Sequence, residues 1–394
     1  MIQALHRRID WIWIANALLV AFCVGAGGLL MVSMIFAIGV LPDYSTFWTA
    51  ARLSLTEHAG EILYDAQRMT ELQSWLVRNE DLRPWAYPPS ALFVLLPFAQ
   101  LPFWLSLVVW SSIRAVLYFA AAWFFSRSIA VAALASLSFS TVLVALHGHL
   151  TNLVAATILT GLAILNTSPI LAGILLGTAA TIKPQLLILA PLALLAGRHY
   201  SALFSAIVTG VLIGTVSTVV FGIDLWLAWL KSLPTFLDIV RHNGISNFGV
   251  TPVSMASQLG FHGAAELALR LVLGVTGVVL CWRVFRITGS LPHRLVAMIG
   301  GGFLVLPYAM SYELAVLAPA AAIYVLGNKR GPVDWCLAVV SALVLVAWWN
   351  AAAWVATAFT LAVCGTALTL KRIARSKHSH ATSKTSLQAS IRTK

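Results

Sequence analysis

The strongest constraint on this chain is a succession of unbroken apolar runs of helix length. LLVAFCVGAGGLLMVSMIFAIGVL (18–41) and LVLVAWWNAAAWVATAFTLAVCGTALTL (343–370) are two of them. About 20 apolar residues in a helix match the roughly 30 Å hydrocarbon core of a bilayer. Lipid offers no partners to backbone amides, so such runs fold as helices. A membrane barrel would alternate apolar and polar residues over about ten positions, and these runs do not alternate. Composition agrees: of 394 residues, 60% are hydrophobic and 10% charged. Soluble domains carry about 25% charged residues, so neither a water-facing surface nor a disordered chain can be built from this sequence. The expected fold class is an all-α polytopic membrane protein.

Spans are expected near 12–41, 103–126, 129–146, 149–165, 200–222, 264–286, 292–309, 312–327, 333–349 and 351–370. Two shorter apolar stretches, 169–182 and 184–197, are divided by Lys183-Pro184, because proline breaks a helix and mid-bilayer lysine is costly. Counting both gives about twelve crossings, and about 10–12 in all depending on these two, at about 20 residues each. Residues 89–100 are too short to cross and read as a re-entrant or interfacial helix. The first run is longer than the h-region of a signal peptide, about 7–15 residues, and is expected to remain as a membrane helix. The organisation expected is one membrane domain, 1–370, with outer loops at 42–88 and 223–262. A Ser-, Thr-, Lys- and His-rich tail at 371–394 is expected to be disordered. No internal repeat of the transporter kind stands out.

The net charge of +12 comes from 25 Lys and Arg against 13 Asp and Glu. These basic residues cluster at the ends of apolar runs, the positive-inside pattern, and not in a nucleic-acid-binding stripe. That pattern puts both termini in the cytoplasm, as in a bacterial-type inner membrane. The four cysteines, Cys23, Cys281, Cys336 and Cys364, lie in apolar runs without metal-like spacing and read as packing residues.

Seven of the thirteen acidic residues fall in the loop 42–88: Asp43, Glu57, Glu61, Asp65, Glu71, Glu80 and Asp81. Asp43, in LPDYSTFW, follows the first span directly. It reads either as a helix N-cap or as a functional carboxylate at the membrane boundary. The loop itself has helical character, with an apolar stripe at Met69, Leu72, Trp75 and Leu76. In WAYPPSALFVLLPFAQLP (85–102) two prolines turn the chain back toward the membrane and present Tyr87. HGHLTN (147–152) sets His149 and Asn152 three residues apart, on one face of a helix start. TIKPQ (181–185) brings Lys183 together with Gln185. PYAMSYELAVLAPA (307–320) places Tyr312 and Glu313 at the start of a span. Arg114, in WSSIRAV, lies mid-span. Intramembrane charges mark functional sites or pair with one another, so a structural Lys–Glu pair stays open as well. No phosphate loop, Walker pattern or Cys/His cluster is present.

These motifs together resemble glycosyltransferase family 87. The likeness is carried by the Asp after the first span, LYD (63–65), YPP (87–89) before LLPFAQLP, AGILLGTAATIKPQ (172–185) and the PY-to-YE stretch (307–313). It runs from about Pro42 to Pro319. The resemblance implies a GT-C-type helical membrane bundle that moves a sugar, mannose in its best-known members, from a polyprenyl-phosphate donor to a lipid or glycan acceptor. Inversion at the sugar is expected. It further implies Asp43 as catalytic carboxylate, with Lys183, Arg52, Arg114 and Tyr87 at the donor phosphate. His149, Asn152, Gln185, Tyr312 and Glu313 would meet sugar or acceptor. With cations at the phosphate, no metal or other cofactor is expected. Two departures stand out. The family's Gly-Gln-x-x-Asn reads Gly148-His149-Leu150-Thr151-Asn152, and its Tyr-Asp reads Tyr312-Glu313.

A transporter or lipid-linked sugar flippase would also hold mid-membrane charges, but it leaves the long acid-rich loop after the first span without a purpose. A non-catalytic assembly subunit would leave its charges merely paired. Positive-inside charge and the loop stripe place 42–88 outside the cell. With Asn79→Cys in a cysteine-free background, an impermeant maleimide added to intact cells is expected to label the protein. Labelling that needs permeabilised membranes would invert the topology.

Overall fold

A computed structural model describes residues 42–57, 59–74, 76, 82, 84–242, 245–347 and 349–369. The first run (12–41) with Cys23, the tail (371–394), Trp75, Glu80 and Asp81 lie outside them. Among the described residues the structure has no strand and is 81% helical, which establishes the all-α polytopic class.

Three short helices occupy the first loop: α1 (Pro42–Leu53), α2 (Ala59–Ile62) and α3 (Ala66–Gln73). Asp65 begins α3 as its N-cap, accepting from the amides of Gln67 and Arg68 at 3.0 Å each. The expected apolar stripe of α3 is corrected here. Met69 and Gln73 face inward and Leu72 is exposed. Gln73 is tolerated inside because its Oε1 accepts from the hydroxyls of Ser45 at 2.9 Å and Thr46 at 2.8 Å. Its amide also donates to the Met69 carbonyl. A buried amide so satisfied replaces an apolar contact with a specific link to α1.

After the YPP turn comes α4 (Leu92–Ala99), a short apolar helix, and then α5 (Phe103–Ser126). The span expected at 129–146 is instead two helices, α6 (Ile129–Ser136) and α7 (Phe139–His147), bent by 61°. The break lies at Leu137-Ser138, where the Ser138 hydroxyl turns to Thr141 at 2.9 Å. Serine favours such local bonds over helix continuation. Next come α8 (Thr151–Ala163), α9 (Pro169–Ile182) and α10 (Ala190–Ala196). Pro184 forces Lys183 out of helical geometry, to φ −141° and ψ 74°, as expected for the residue before a proline.

The stretch 223–262, expected as an outer loop, is largely helical. After α11 (Tyr200–Phe221) it forms α12 (Ile223–His242), which is amphipathic, and α13 (Pro252–Gln258). The remainder comprises α14 (Ala264–Ile287), α15 (Leu291–Leu295), a π turn at Val296–Gly300, α16 (Gly301–Val305), a 3-10 turn at Ser311–Val316, α17 (Ala318–Leu326), α18 (Pro332–Val346) and α19 (Ala352–Thr369). Among the described residues, four helices (α5, α11, α14 and α19) are long and apolar enough to cross a bilayer, or five if the bent α6–α7 pair is one broken span. Of the other expected crossings, 149–165, 169–182, 184–197, 292–309 and 333–349 are shorter apolar helices of 10–17 residues, 312–327 is the 3-10 turn with the nine-residue α17, and 12–41 lies outside the described residues. Of the cysteines, Cys281 and Cys364 are buried as expected, whereas Cys336 is exposed.

The tightest helix contact positions the site. A Cβ at Gly173 would stand 2.1 Å from the Ala202 carbonyl oxygen, and one at Gly177 would stand 2.6 Å from that of Ala206. Two glycines one turn apart thus let α9 lie backbone-to-backbone on α11, the small-residue packing that holds membrane helices without a hydrophobic driving force. Lys183 follows at the end of α9. Gly173→Val is expected to destabilise the fold by about 1–3 kcal/mol through overpacking. Gly210, with nothing within 4 Å of its Cβ position, serves as control: Gly210→Ala is expected to leave the melting temperature nearly unchanged. Equal melting temperatures for the two variants would remove the role given to this contact.

Candidate active site

A cavity of about 520 Å³ opens between α1, the YPP turn, the α7–α8 loop, the end of α9, α12 and the Pro307–Glu313 segment. Its wall includes Asp43, Tyr87, His149, Lys183, Gln185, Tyr312 and Glu313. Seven of the ten site residues expected from sequence therefore meet in one place. Asn152, Arg52 and Arg114 do not line it.

Each wall residue is held by a traceable local cause. Asp43 sits in the first turn of α1, with side chain 35% exposed and its Oδ2 3.7 Å from His147 Nδ1. Tyr87 is fixed through its backbone. The Tyr64 hydroxyl of the LYD segment donates to the Tyr87 carbonyl at 2.8 Å, and Trp229 of α12 donates to the Ala86 carbonyl at 3.3 Å. Ser90 ties the same turn to the Thr181 carbonyl near the end of α9, at 2.6 Å. His149 follows Gly148, which ends α7 in the left-handed conformation at φ 71°. Glycine meets two demands there, since a Cβ would also collide with Tyr44 Cβ at 2.5 Å.

Arg114 ties down that loop. It is fully buried, and its guanidinium donates to the carbonyls of Val144 (3.3 Å), Ala145 (3.4 Å) and His149 (2.5 Å). Trp110 adds a bond to the Gly148 carbonyl at 2.7 Å. Helix C-termini leave their last carbonyls unpaired and carry partial negative charge, so a buried cation stabilises this end of α7. The expectation that Arg114 meets a phosphate is corrected: it holds a helix end. Arg52 is exposed, its guanidinium 4.7 Å from the Trp48 ring. Asn152 is buried, donating to the Thr141 carbonyl at 3.4 Å. The i, i+3 spacing puts it on one face with His149, but the helix starts only at Thr151, and Asn152 does not join His149 on the cavity wall.

At the deepest part, Lys183 Nζ lies 2.8 Å from Glu313 Oε1, each side chain only 1% exposed. Nζ also donates to Thr151 Oγ1 at 2.9 Å and stands 5.3 Å from the Tyr312 ring centre. Glu313 Oε2 has no hydrogen-bond partner among the described residues. The His149 and Tyr312 ring centres lie 4.3 Å apart with their planes tilted by 49°.

Several wall residues escaped the sequence reading. Tyr308 stands in the PYAMSYE stretch, four positions before the tyrosine that was singled out. Trp229, Leu233 and Phe236 come from α12, whose amphipathic period was legible but was absorbed into a presumed loop. His147, which lies beside Asp43 but not on the wall, stands within HGHLTN. Among the described residues no three His, Cys, Asp or Glu side chains are grouped to hold a metal ion.

Fold and cavity together define an integral membrane protein whose apolar helices enclose a largely apolar, aromatic-walled chamber with Asp43, Lys183, Gln185 and Glu313 on its wall. The model of glycosyltransferase family 87 matches residues 85–309, more than half of the chain, and the chain belongs to that family. It is therefore a membrane glycosyltransferase. The matched region contains Tyr87, His149, Lys183 and Gln185; Asp43 precedes it, and Tyr312 and Glu313 follow it. No curated protein and no solved structure matches the chain.

Removing one member of a buried ion pair leaves the other uncompensated, at a cost of about 3–5 kcal/mol. Lys183→Met is expected to lower the melting temperature accordingly. Adding Glu313→Leu is expected to restore most of that loss. A double variant no more stable than the single one would show that the pair does not organise the cavity floor.

Proposed function

We propose that this glycosyltransferase moves a hexose, mannose by its family resemblance, from a polyprenyl-phosphate donor to a hydroxyl of a lipid- or glycan-linked acceptor at the outer membrane face. The observation that carries this reading is the sharing of one cavity by a solvent-reachable carboxylate, Asp43, and a buried Lys183–Glu313 pair. In an inverting transfer, the acceptor oxygen attacks the anomeric carbon from the face opposite the phosphate. As the new C–O bond forms, the bond to the phosphate oxygen breaks and its electron pair leaves with the lipid phosphate. Asp43 takes the acceptor's proton, a general-base contribution of about 10²–10⁴-fold. Lys183, with Glu313 adjusting its position, supplies positive charge where the phosphate departs, and such stabilisation is often the largest catalytic contribution.

The sugar needs polar partners on an aromatic floor. Glu313 Oε2 is buried without a donor among the described residues, and a sugar hydroxyl satisfies it. Gln185 and Tyr312 supply further polar groups on the wall. The apolar side of α12, with Leu233, Phe236 and Leu237 in the wall, suits the first isoprene units of the donor.

Asparagine keeps the shape of Asp43 but cannot accept the proton. The lost charge in the first turn of α1 costs about 0.3–1 kcal/mol, so Asp43→Asn is expected to remain folded. Transfer from a radiolabelled polyprenyl-phosphate sugar is expected to fall by at least about 10². Near wild-type transfer by Asp43→Asn would move the base elsewhere. Translocation of the donor lipid without sugar transfer by the wild type would favour a flippase.

A further inference from the structure

A hydrogen-bond chain runs from Lys183 to the cavity wall, and the chemistry of its members fixes its direction. An ammonium only donates, so Lys183 Nζ gives protons to Glu313 Oε1 at 2.8 Å and to Thr151 Oγ1 at 2.9 Å. The Thr151 oxygen, accepting from lysine, has its own proton available for His149 Nδ1, 2.8 Å away. The backbone N–H of Thr151 points at the same nitrogen from 3.3 Å. A backbone amide can only donate, so Nδ1 is an acceptor and carries no proton. Burial, and then the nearby Lys183 and Arg114 cations, hold the His149 imidazole well below its ordinary range. The ring is therefore neutral, and its proton is on Nε2.

Nε2 faces the Tyr87 hydroxyl at 2.7 Å. With Nε2–H donating, the Tyr87 oxygen accepts. The phenolic proton must then point elsewhere, and among the described residues the Tyr87 hydroxyl makes no other hydrogen bond. Tyr87 lines the cavity. A hydroxyl whose oxygen already accepts from a polarised chain is a stronger donor than a lone phenol. Its best partner is an anion, because hydrogen bonds to charged groups contribute about twice as much as neutral ones.

We propose that Tyr87 is an obligate hydrogen-bond donor into the cavity, directed at a phosphate oxygen of the lipid-linked substrate, with Lys183, Thr151 and His149 as positioning residues that keep its proton turned outward. This rests on the reaction proposed above only for the source of the phosphate. The direction of the chain follows from the hydrogen bonds alone.

Two measurements test it. In nitrogen-15 NMR of histidine-labelled protein in nanodiscs, the resonances lost in His149→Gln are expected to report a bare Nδ1 and a protonated Nε2. A proton on Nδ1 would overturn the chain's direction. Binding is then compared for a polyprenyl monophosphate, the matching polyprenol and inorganic phosphate. Wild type is expected to favour the monophosphate over the polyprenol, with inorganic phosphate binding too weakly to compete. Tyr87→Phe is expected to cut that advantage by about 10–100-fold, the range for a hydrogen bond to a charged group. Thr151→Val, which breaks the chain one step earlier, is expected to cut it several-fold and decides the matter if Tyr87→Phe does not fold. An undiminished advantage in the variants would overturn the role of Tyr87. Wild-type protein that shows the advantage yet transfers no sugar would instead sink the proposed reaction and leave Tyr87 as a phosphate donor.

Discussion

The Lys183–Glu313 ion pair is the interaction on which the rest of the site depends. Two charges almost fully removed from water cost several kcal/mol each, and only close geometry with further hydrogen bonds repays that. The closeness here is supplied by backbone. Gly173 and Gly177 seat α9 against α11, Pro184 turns Lys183 out of the helix, and the 3-10 turn at Ser311–Val316 brings Glu313 to meet it. That turn is anchored in its turn by the Tyr118 hydroxyl of α5 on the Ala315 carbonyl at 2.6 Å. The pair therefore joins segments 130 residues apart at the floor of the cavity.

A second buried cation works differently. Arg114 has no carboxylate partner in any ion pair among the described residues, yet it is buried completely. Its charge is spread over carbonyls at the end of α7, where the helix supplies roughly half a negative charge. The consequence is felt at His149, whose own carbonyl is one of the acceptors. A loop at a membrane boundary would ordinarily be mobile. This one is clamped by a guanidinium and an indole on consecutive carbonyls, which lets an imidazole be held in one orientation.

The sequence disclosed the class, the place of most helices and the break at Lys183-Pro184, because apolar run length and proline are strong local signals. Family resemblance gathered Tyr87, His149, Lys183, Gln185, Tyr312 and Glu313 before any coordinates did. What stayed hidden had no local mark. The α6–α7 bend lies between two apolar halves, and Leu137-Ser138 resembles any other pair in a membrane helix. Arg114 looked like a ligand-binding charge because nothing in WSSIRAV tells that the acceptors are carbonyls about 30 residues further on. The 223–262 stretch read as a loop since its polar positions suppressed the apolar run, although Trp226, Trp229 and Phe236 already had a helical period. Gln73 took a core position expected for an apolar residue because Ser45 and Thr46, distant in sequence, satisfy it.

The acidic residues of the first loop show how structure separates roles that composition groups together. Asp65 is occupied as the cap of α3, and Glu57, Glu61 and Glu71 lie exposed on the surface. Among the described residues only Asp43 and Glu313 put carboxylates on the cavity wall. They differ in the property that matters for proton transfer. A general base must be reachable by the acceptor and must shed its proton to water afterward. Glu313, 1% exposed and bound to Lys183, has neither freedom, whereas Asp43 is 35% exposed beside the partly exposed His147. The same buried pair that builds the cavity floor thus argues against Glu313 as the base and for the carboxylate of α1 in the role proposed for it.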